Sequence, residues 1–369
     1  MGYRGRMYGI GDRVLERIQL ACPNALHRDI AGVVGMTPDA FSRALNGKRA
    51  FSSIELARLA DHLDADVHWL ITGRPDPHRL VVAARHTFDH ETGQRDVPGR
   101  EADDRVLRDI GLAYRQAYPE PQELPALPES PAQVRRALGA RFVRPFAPRL
   151  ESELGVDVVR VAGLSTAYSF TTGGHPVIAL PATGSWFHEN WSMAHELGHL
   201  ARRHHDDSLS ESERHNHEMV ANAFAAEVLL PRESLESIDW DGLDAAGLAD
   251  LVWEWGVSTD ALARRLKACR GSVPAVVQTW AGHATQRLLR RHWRGDPSGR
   301  DEITVRMDAA AQRRFPVSLQ EAHLQGIASG ALGTGTLAWM LGIDPDALEV
   351  DSPLAPEMDI DDLAEALGL

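Results

Sequence analysis

The segment His195-Glu196-Leu197-Gly198-His199 limits the possible fold and chemistry of this chain more than any other, because its two histidines are four residues apart. On an α-helix, residues at that spacing lie on one face, so both imidazoles can bind one metal ion. Glu196 lies about 100° further round the helix, within reach of a water on that metal. Two neutral nitrogen ligands with a nearby carboxylate base are the arrangement that a zinc hydrolase requires. A chain with 17 histidines can contain such a motif by chance, so the neighbouring residues have to support it.

The residues around the motif favour a helix. Apolar or small side chains recur beside the histidines at Trp191, Ala194 and Ala201, and Arg202-Arg203 suit the C-terminal end of a helix dipole. A structural zinc site has four protein ligands, whereas a catalytic site has three and leaves one position for water. A third ligand is therefore expected from elsewhere in the chain.

A second helix is predicted from Glu211 to Leu230, ending before Pro231. Its centre is rich in alanine, and small side chains allow two helices to approach closely. Glu218, nineteen residues after His199, is the candidate third ligand. Asn222 lies one turn further on the same face, where it could orient a ligand histidine.

These two stretches together resemble the ImmA/IrrE family of zinc metallopeptidases. The matching residues are Ser192-Met-Ala-His-Glu-Leu-Gly-His-Leu200, followed by Glu218-x-x-Ala-Asn-x-Phe-Ala-x-Glu-x-Leu-Leu-Pro231. In that family the glutamate before Ala-Asn completes the metal site, which corresponds here to Glu218 rather than Glu227. The resemblance covers roughly residues 130 to 270 and includes three strand-like segments, at Leu154–Val159, Ala167–Thr171 and Pro176–Leu180, with Gly173-Gly174 between the last two.

The resemblance implies a zincin-like fold with one Zn²⁺ per chain, or another divalent metal such as Mn²⁺, held by His195, His199 and Glu218. It also implies that Glu196 is the catalytic base and that the substrate is an XRE-type repressor, cleaved in a stress response or in the control of a mobile element. Tyr168, on the strand before the glycine pair, could contact an extended substrate or the oxyanion, or could serve only for packing.

The N-terminal stretch predicts a helix-turn-helix within five short helices over residues 12–74. Gly35 can end a helix in the left-handed conformation, Met36 can enter the core, and Thr37 can cap a helix that has Pro38 at its first position. The pattern resembles XRE/Cro DNA-binding domains. The candidate DNA contacts are Thr37, Asp39, Ala40, Ser42, Arg43, Asn46, Lys48 and Arg49.

The charge distribution assigns any nucleic-acid contact to this N-terminal stretch. Residues 1–80 hold eleven Lys/Arg and nine Asp/Glu, a net charge of +2, which leaves −15 for the rest of a chain whose total is −13. Affinity for double-stranded DNA depends mainly on phosphate contacts, so a homodimer would supply more charge. The alternative is a helix-turn-helix used only for protein contacts.

Two later segments repeat the turn, Gly256-Val-Ser-Thr-Asp-Ala-Leu262 and Gly342-Ile-Asp-Pro-Asp-Ala-Leu348. A shared way of packing two helices accounts for both. For the first repeat, a secondary contact with DNA or an acidic peptide stays open, because four cationic residues follow it.

Composition indicates an ordinary globular protein in a reduced cytoplasm, without a membrane partner. Of its 369 residues 43% are hydrophobic, and no apolar stretch approaches the 18 residues of a membrane span. The N-terminus has no secretory apolar region, and two cysteines, Cys22 and Cys269, suit neither a disulfide framework nor a cysteine-based metal site.

The predicted fold class is mainly α with a small β-sheet (α+β). Four segments are expected: an XRE-like domain at 10–76, a linker with one helix (Glu101–Ala117) at 77–129, a zincin-like domain at 130–274 that includes a helix-turn-helix-like segment at 246–270, and a mostly helical region of unknown role at 275–369. Within the last region, Ile303–Met307 could form a strand.

The leading hypothesis is a DNA-binding zinc metalloendopeptidase. The alternatives are a non-proteolytic transcriptional regulator, in which the zincin domain senses a ligand or binds a partner, and an antitoxin-like binding module. The intact Glu196 argues against a purely sensory site, which needs no base. Four further histidines, His204, His205, His215 and His217, are expected on the solvated surface.

Overall fold

The computed structural model describes residues 9–23, 25–63, 65–74, 80, 82–84, 87–88, 95–96, 100–120, 122–123, 125–205, 211–295 and 300–350. The chain divides into two compact units, Met1–Arg79 and Leu80–Leu369. Within the described ranges, no helix combines the length and the apolar character that a membrane crossing requires.

The first unit contains the five helices predicted from its apolar periodicity. They are α1 Ile10–Ala21, α2 His27–Val33, α3 Pro38–Leu45, α4 Ser53–Leu63 and α5 Val67–Thr72. One side chain from each helix reaches a common core, at Val14, Ile30, Phe41, Leu59 and Leu70. The unit therefore has a core of its own.

The turn between α2 and α3 has the predicted chemistry. Gly35 has a φ of 77°, which only glycine adopts at little cost, and Met36 is buried in the core. The Thr37 hydroxyl accepts a hydrogen bond from the backbone N–H of Ala40 at 3.3 Å, and Pro38 occupies the first helical position. The predicted cap at Thr37 is confirmed.

The second unit contains a four-stranded sheet in the order β1-β5-β6-β4 and a separate pair, β2-β3. Its strands are β1 Val82–Ala84, β2 Thr87–Phe88, β3 Arg95–Asp96, β4 Asp157–Val161, β5 Tyr168–Thr172 and β6 His175–Pro181. β5 and β6 form an antiparallel hairpin, whereas β4 is parallel to β6. Gly173 and Gly174 form its two-residue turn with φ values of 57° and 87°, as such hairpins require.

Helices make up most of this unit, which confirms the predicted fold class. They are α6 Arg100–Ala117, α7 Pro131–Leu138, α8 Phe146–Leu154, α9 Trp186–Arg202, α10 Glu211–Leu229, α11 Arg232–Glu236, α12 Ala245–Trp255, α13 Thr259–Arg270, α14 Ala275–Ala281, α15 Thr285–His292, α16 Glu302–Ala311, α17 Val317–Ala328 and α18 Gly335–Leu341, with a 3₁₀ turn at Pro345–Ala347.

The sheet separates two hydrophobic cores. Val158 and Ile178 belong to the core that contains α9 and α10, whereas Val159 and Val177, their neighbours along the strands, belong to the core formed with α6 and α17. Successive side chains of a strand point to opposite faces, so each residue of β5 is assigned to one core by its position.

The repeat of the capped turn is present between α12 and α13. Gly256 has a φ of 61°, Val257 is buried, and the Ser258 hydroxyl accepts from the Ala261 N–H at 3.1 Å. The later repeat, at Gly342, leads only into the 3₁₀ turn.

Segments predicted as a linker and a separate C-terminal region form part of the second unit. β1 pairs with β5, and α6 packs in the same core as α17, where His323 Nε2 lies 2.9 Å from the carbonyl oxygen of Ala113. Arg314 forms an antiparallel bridge with Arg160 on β4. The strand predicted at Ile303–Met307 is wrong, because these residues lie within α16.

Candidate metal and catalytic site

Two helices, α9 and α10, bring the predicted ligands together. α9 carries His195, Glu196 and His199, all of them buried, and α10 carries Glu218. The helices pack closely at Gly198, where an added Cβ would lie 3.2 Å from the Cα of Ala221. The small residues in the sequence thus permit the approach that a shared metal site requires.

The potential ligand atoms converge on one position. The Nε2 atoms of His195 and His199 are 3.2 Å apart. Glu218 places Oε2 3.3 Å from Nε2 of His195 and Oε1 3.4 Å from Nε2 of His199. These three residues are the group among the described residues that could hold a metal ion, with one ligand atom from each lying within 4.8 Å of the others.

The hydrogen bond of Asn222 gives His195 the protonation state of a ligand. Its side-chain oxygen lies 3.2 Å from Nδ1 of His195 and can only accept, so Nδ1 carries the proton. Nε2 is then left with a lone pair directed towards Glu218 and His199. This is the tautomer of a metal-ligating imidazole held by an outer partner, as predicted for Asn222 from the sequence.

The charge state of Glu218 also suits a cation. Burial alone would raise the pKa of this carboxyl, but the neighbouring imidazoles of His195 and His199 outweigh burial and lower the pKa to about 2. Two imidazole nitrogens and an ionised carboxylate are the donor types that Zn²⁺ binds in catalytic sites. The residues present therefore fit a zinc ion.

Three of the four histidines expected at the surface lie at or beside the cluster, so that expectation is wrong for them. Nδ1 of His204 lies 3.2 Å from Nδ1 of His199, and the His204 ring stacks on His217 at a centroid distance of 3.8 Å. Burial, together with neighbouring histidines, lowers the pKa of His204 to about 3, so this ring is neutral at pH 7. His205 is also half-buried, whereas His215 is exposed as expected.

The buried carboxylate of Glu196 has a partner that the sequence reasoning missed. The Ser169 hydroxyl donates to Oε2 of Glu196 at 2.7 Å. His205 Nε2 lies 3.1 Å from the carbonyl oxygen of Ser169. Strand alternation gives a partial signal, because Ser169 and its neighbour Tyr168 must face opposite sides of the sheet and only one of them can face α9.

Tyr168 does not lie at the cluster, contrary to the substrate or oxyanion contact considered for it. It belongs to the core on the other face of the sheet, and its hydroxyl donates to Oδ2 of Asp103 at 2.7 Å. Burial and this hydrogen bond raise the pKa of the phenol. The packing alternative describes Tyr168 correctly.

In the first unit, the candidate DNA contacts differ in how accessible they are. Those exposed to solvent are Thr37, Asp39, Ser42, Arg43, Asn46 and Lys48, whereas Ala40 and Arg49 are half-buried. Arg49 donates to both carboxylate oxygens of Glu55, at 2.9 and 2.8 Å. Its guanidinium is therefore paired with a carboxylate of the same unit, and the phosphate contact predicted for Arg49 stays a prediction.

Comparison with known proteins supports the prediction that part of the second unit is a peptidase domain. Residues 151–267 match the M78 peptidase family model, described as the IrrE N-terminal-like domain. The matched stretch includes His195, Glu196, His199 and Glu218. No curated protein matches the chain, and neither does any solved structure.

Proposed function

We propose that this chain is a zinc-dependent endopeptidase that cleaves an XRE-type repressor. One observation carries the proposal: ligand atoms of His195, His199 and Glu218 meet within 4.8 Å, and the helix that carries both histidines also carries the buried Glu196, inside the segment that matches a peptidase family. A site that only senses or scaffolds has no need of a base at that place.

His195, His199 and Glu218 would hold the metal, and Glu196 performs the proton transfers. When bound, a zinc ion supplies Lewis-acid polarisation of the scissile carbonyl and lowers the pKa of a water. Glu196 accepts a proton from the attacking water as the peptide carbon becomes tetrahedral. It then donates that proton to the amine nitrogen as the C–N bond breaks, which returns Glu196 to its ionised state.

The repressor substrate is proposed from the family resemblance, which covers the motif on α9 and the Glu218 stretch on α10. Cleavage of such a repressor would relieve repression of a stress-response or mobile-element programme. The first unit supports this assignment, since a DNA-binding unit on the same chain would deliver the peptidase to the operator that its substrate occupies.

DNA binding by the first unit is part of the proposal. Ser42 and Arg43 are exposed on α3, the helix that follows the capped turn, where a recognition helix presents its side chains to base edges. Asn46 and Lys48 are exposed just beyond its end, in a position to contact phosphates. The small net charge of this unit favours binding as a homodimer, which doubles the phosphate contacts.

The direct test is incubation of the purified, zinc-loaded chain with XRE-type repressors from the same genome, each with and without its operator DNA. We expect one defined cut, identified by intact-mass spectrometry, which stops on chelation and resumes when zinc is restored. Operator DNA should accelerate the cut. Repressors that all stay intact with zinc-loaded protein, both with and without DNA, would contradict the proposal.

A further inference from the structure

We infer that Ser169 is a positioning residue for Glu196, holding the carboxylate of the base in its working orientation. The inference rests on the proposed function, because it assigns to Ser169 a part in that reaction. Ser169 is located on β5 and Glu196 on α9, so the contact joins the sheet to the helix that carries the candidate ligands.

The contact is a buried hydrogen bond. Oγ of Ser169 donates to Oε2 of Glu196 at 2.7 Å, and neither residue is exposed to solvent. A carboxylate that is buried and ionised depends on nearby hydrogen-bond donors for its solvation. A short hydrogen bond to one oxygen also restricts rotation of the carboxylate about its terminal torsion, which is otherwise soft.

The direction of this hydrogen bond is set by His205. Its Nε2 lies 3.1 Å from the carbonyl oxygen and 3.3 Å from Oγ of Ser169. A carbonyl oxygen only accepts, so Nε2 must carry the proton, and Oγ can accept from the same N–H. The serine proton is then directed to Glu196, which gives a chain of donors from His205 through Ser169 to the carboxylate.

The backbone of Ser169 is held on both sides. β5 lies between β1 and β6, and Ser169 is paired with Ala83 on one side and Ile178 on the other. His205 follows α9 in the chain, so its contact also ties the exit of that helix to the strand. A hydroxyl mounted on a strand with two neighbours is a rigid support for a catalytic side chain.

Removing the hydroxyl should affect the reaction more than binding. In Ser169→Ala, the carboxylate of Glu196 loses its fixed orientation while His195, His199 and Glu218 remain in place. Loss of a partner of this kind lowers activity about 10–100-fold. We expect that loss in kcat, with KM and zinc content within about twofold of the unaltered protein.

The kinetic experiment uses the full-length, zinc-loaded chain and, as probe, an XRE-type repressor that the unaltered chain cleaves. Ser169→Thr keeps the hydroxyl and should recover most of kcat. Thr172→Val is the matched control, because Thr172 is another buried hydroxyl residue on β5 but faces the opposite side of the sheet. An unchanged kcat in Ser169→Ala, or an equal loss in Ser169→Thr, would overturn the inference.

A second measurement needs no substrate and separates this inference from the proposed function. Ser169→Ala should lower the Tm of the full chain by about 3–8 °C, because a buried carboxylate loses a donor. In a Glu196→Met background the same change should leave Tm unaltered or raise it, whereas Thr172→Val should act equally in both backgrounds. Equal Tm losses for Ser169→Ala in both backgrounds would overturn the inference, even if the repressor is cleaved. If Ser169→Ala lowers Tm only when Glu196 is present, and yet no repressor is cleaved, the proposed function is wrong and the contact between Ser169 and Glu196 still stands.

Discussion

Asn222 is a residue outside the candidate ligand set that contacts one of its histidines. It faces Nδ1 of His195 at 3.2 Å and so determines which nitrogen of that imidazole keeps a lone pair for the cluster. Without the Asn222 side chain, the imidazole of His195 can rotate or take the other tautomer. Returning it to the orientation and tautomer that bind a metal then lowers the free energy of metal binding.

We therefore expect Asn222→Ala to weaken zinc affinity about 10–100-fold, measured by competition with a chromogenic chelator. Asn216→Ala is the matched control, since Asn216 is exposed on the same helix. Equal zinc affinities in the two variants would show that Asn222 has no influence on the ligand.

Asp157 provides a residue-scale prediction for pH dependence. Burial raises the pKa of this carboxyl to about 6 from 3.8, although the Tyr114 hydroxyl donates to it at 2.7 Å. Between about pH 4 and 6 the folded protein holds this proton more tightly than the unfolded chain does. The contribution of Asp157 to stability therefore falls as pH rises through that window.

Asp157→Asn removes this titration but keeps an oxygen that can accept from Tyr114. As the pH rises from 4 to 7, the free energy of unfolding of the variant should increase relative to that of the unaltered protein, by up to about 3 kcal/mol. Thermal unfolding of both proteins across this pH range measures the difference in stability. A stability difference that does not change with pH would show that Asp157 keeps an ordinary pKa in the folded state.

Sequence reasoning at the residue scale succeeded where a local pattern fixes the geometry. His195, His199, Glu218 and Asn222 all lie on helices, so spacing along the chain predicts which of them share a face. Ser169 was missed because its role depends on which face of β5 meets α9. A strand pattern alone does not determine that orientation, and an error of one residue exchanges the faces.

At the scale of elements, the site depends on how closely α9 and α10 approach at Gly198. An added Cβ would lie 3.2 Å from the Cα of Ala221 and 3.2 Å from Cβ of Phe224, so a larger side chain must push the helices apart. Glu218 lies on α10, and its distance from His195 and His199 would increase with that shift.

Gly198→Val should therefore destabilise the second unit by about 1–3 kcal/mol and weaken zinc binding in the same variant. Thermal unfolding and chelator competition measure the two effects. Ala223→Val, at an exposed position of α10, is the control for adding a β-branched residue to this helix pair. Unchanged zinc affinity in Gly198→Val would contradict the close-packing argument.

Elements were predictable wherever periodicity and end signals agreed. α6 and the five helices of the first unit follow their apolar periodicity, and the hairpin of β5 and β6 follows its glycine pair. Ile303–Met307 was misassigned because β-branched side chains suggested a strand. The stronger signal was Asp301, whose carboxylate accepts from the Thr304 N–H at 3.1 Å and caps α16.

At the scale of the whole molecule, the C-terminal region completes the second unit. Arg314 exchanges two 2.8 Å backbone hydrogen bonds with Arg160 on β4, and its guanidinium donates to both carboxylate oxygens of Glu151 at 2.6 Å. Phe315 and Leu319 are buried in the core on the β5 face that carries Tyr168. Contacts over such sequence separations leave no local pattern, so the sequence could not predict them.

Deleting residues 301–369 should therefore expose one face of the sheet and prevent cooperative folding of the second unit. We expect loss of soluble protein, or a soluble product without a sharp thermal transition. Deletion of 351–369 is the control, since it leaves Arg314, Phe315 and Leu319 in place. A soluble product of the larger deletion with normal zinc content would show that the C-terminal region is dispensable for the fold.

The proposed reaction depends most on Glu196, which acts as the base for a metal held by three other residues. The most direct measurement compares the unaltered chain with Glu196→Gln for zinc content and for repressor cleavage in the same preparations. We predict one zinc per chain in both proteins and cleavage only by the unaltered chain. Cleavage by zinc-loaded Glu196→Gln at the rate of the unaltered chain would contradict the role of Glu196 as the base.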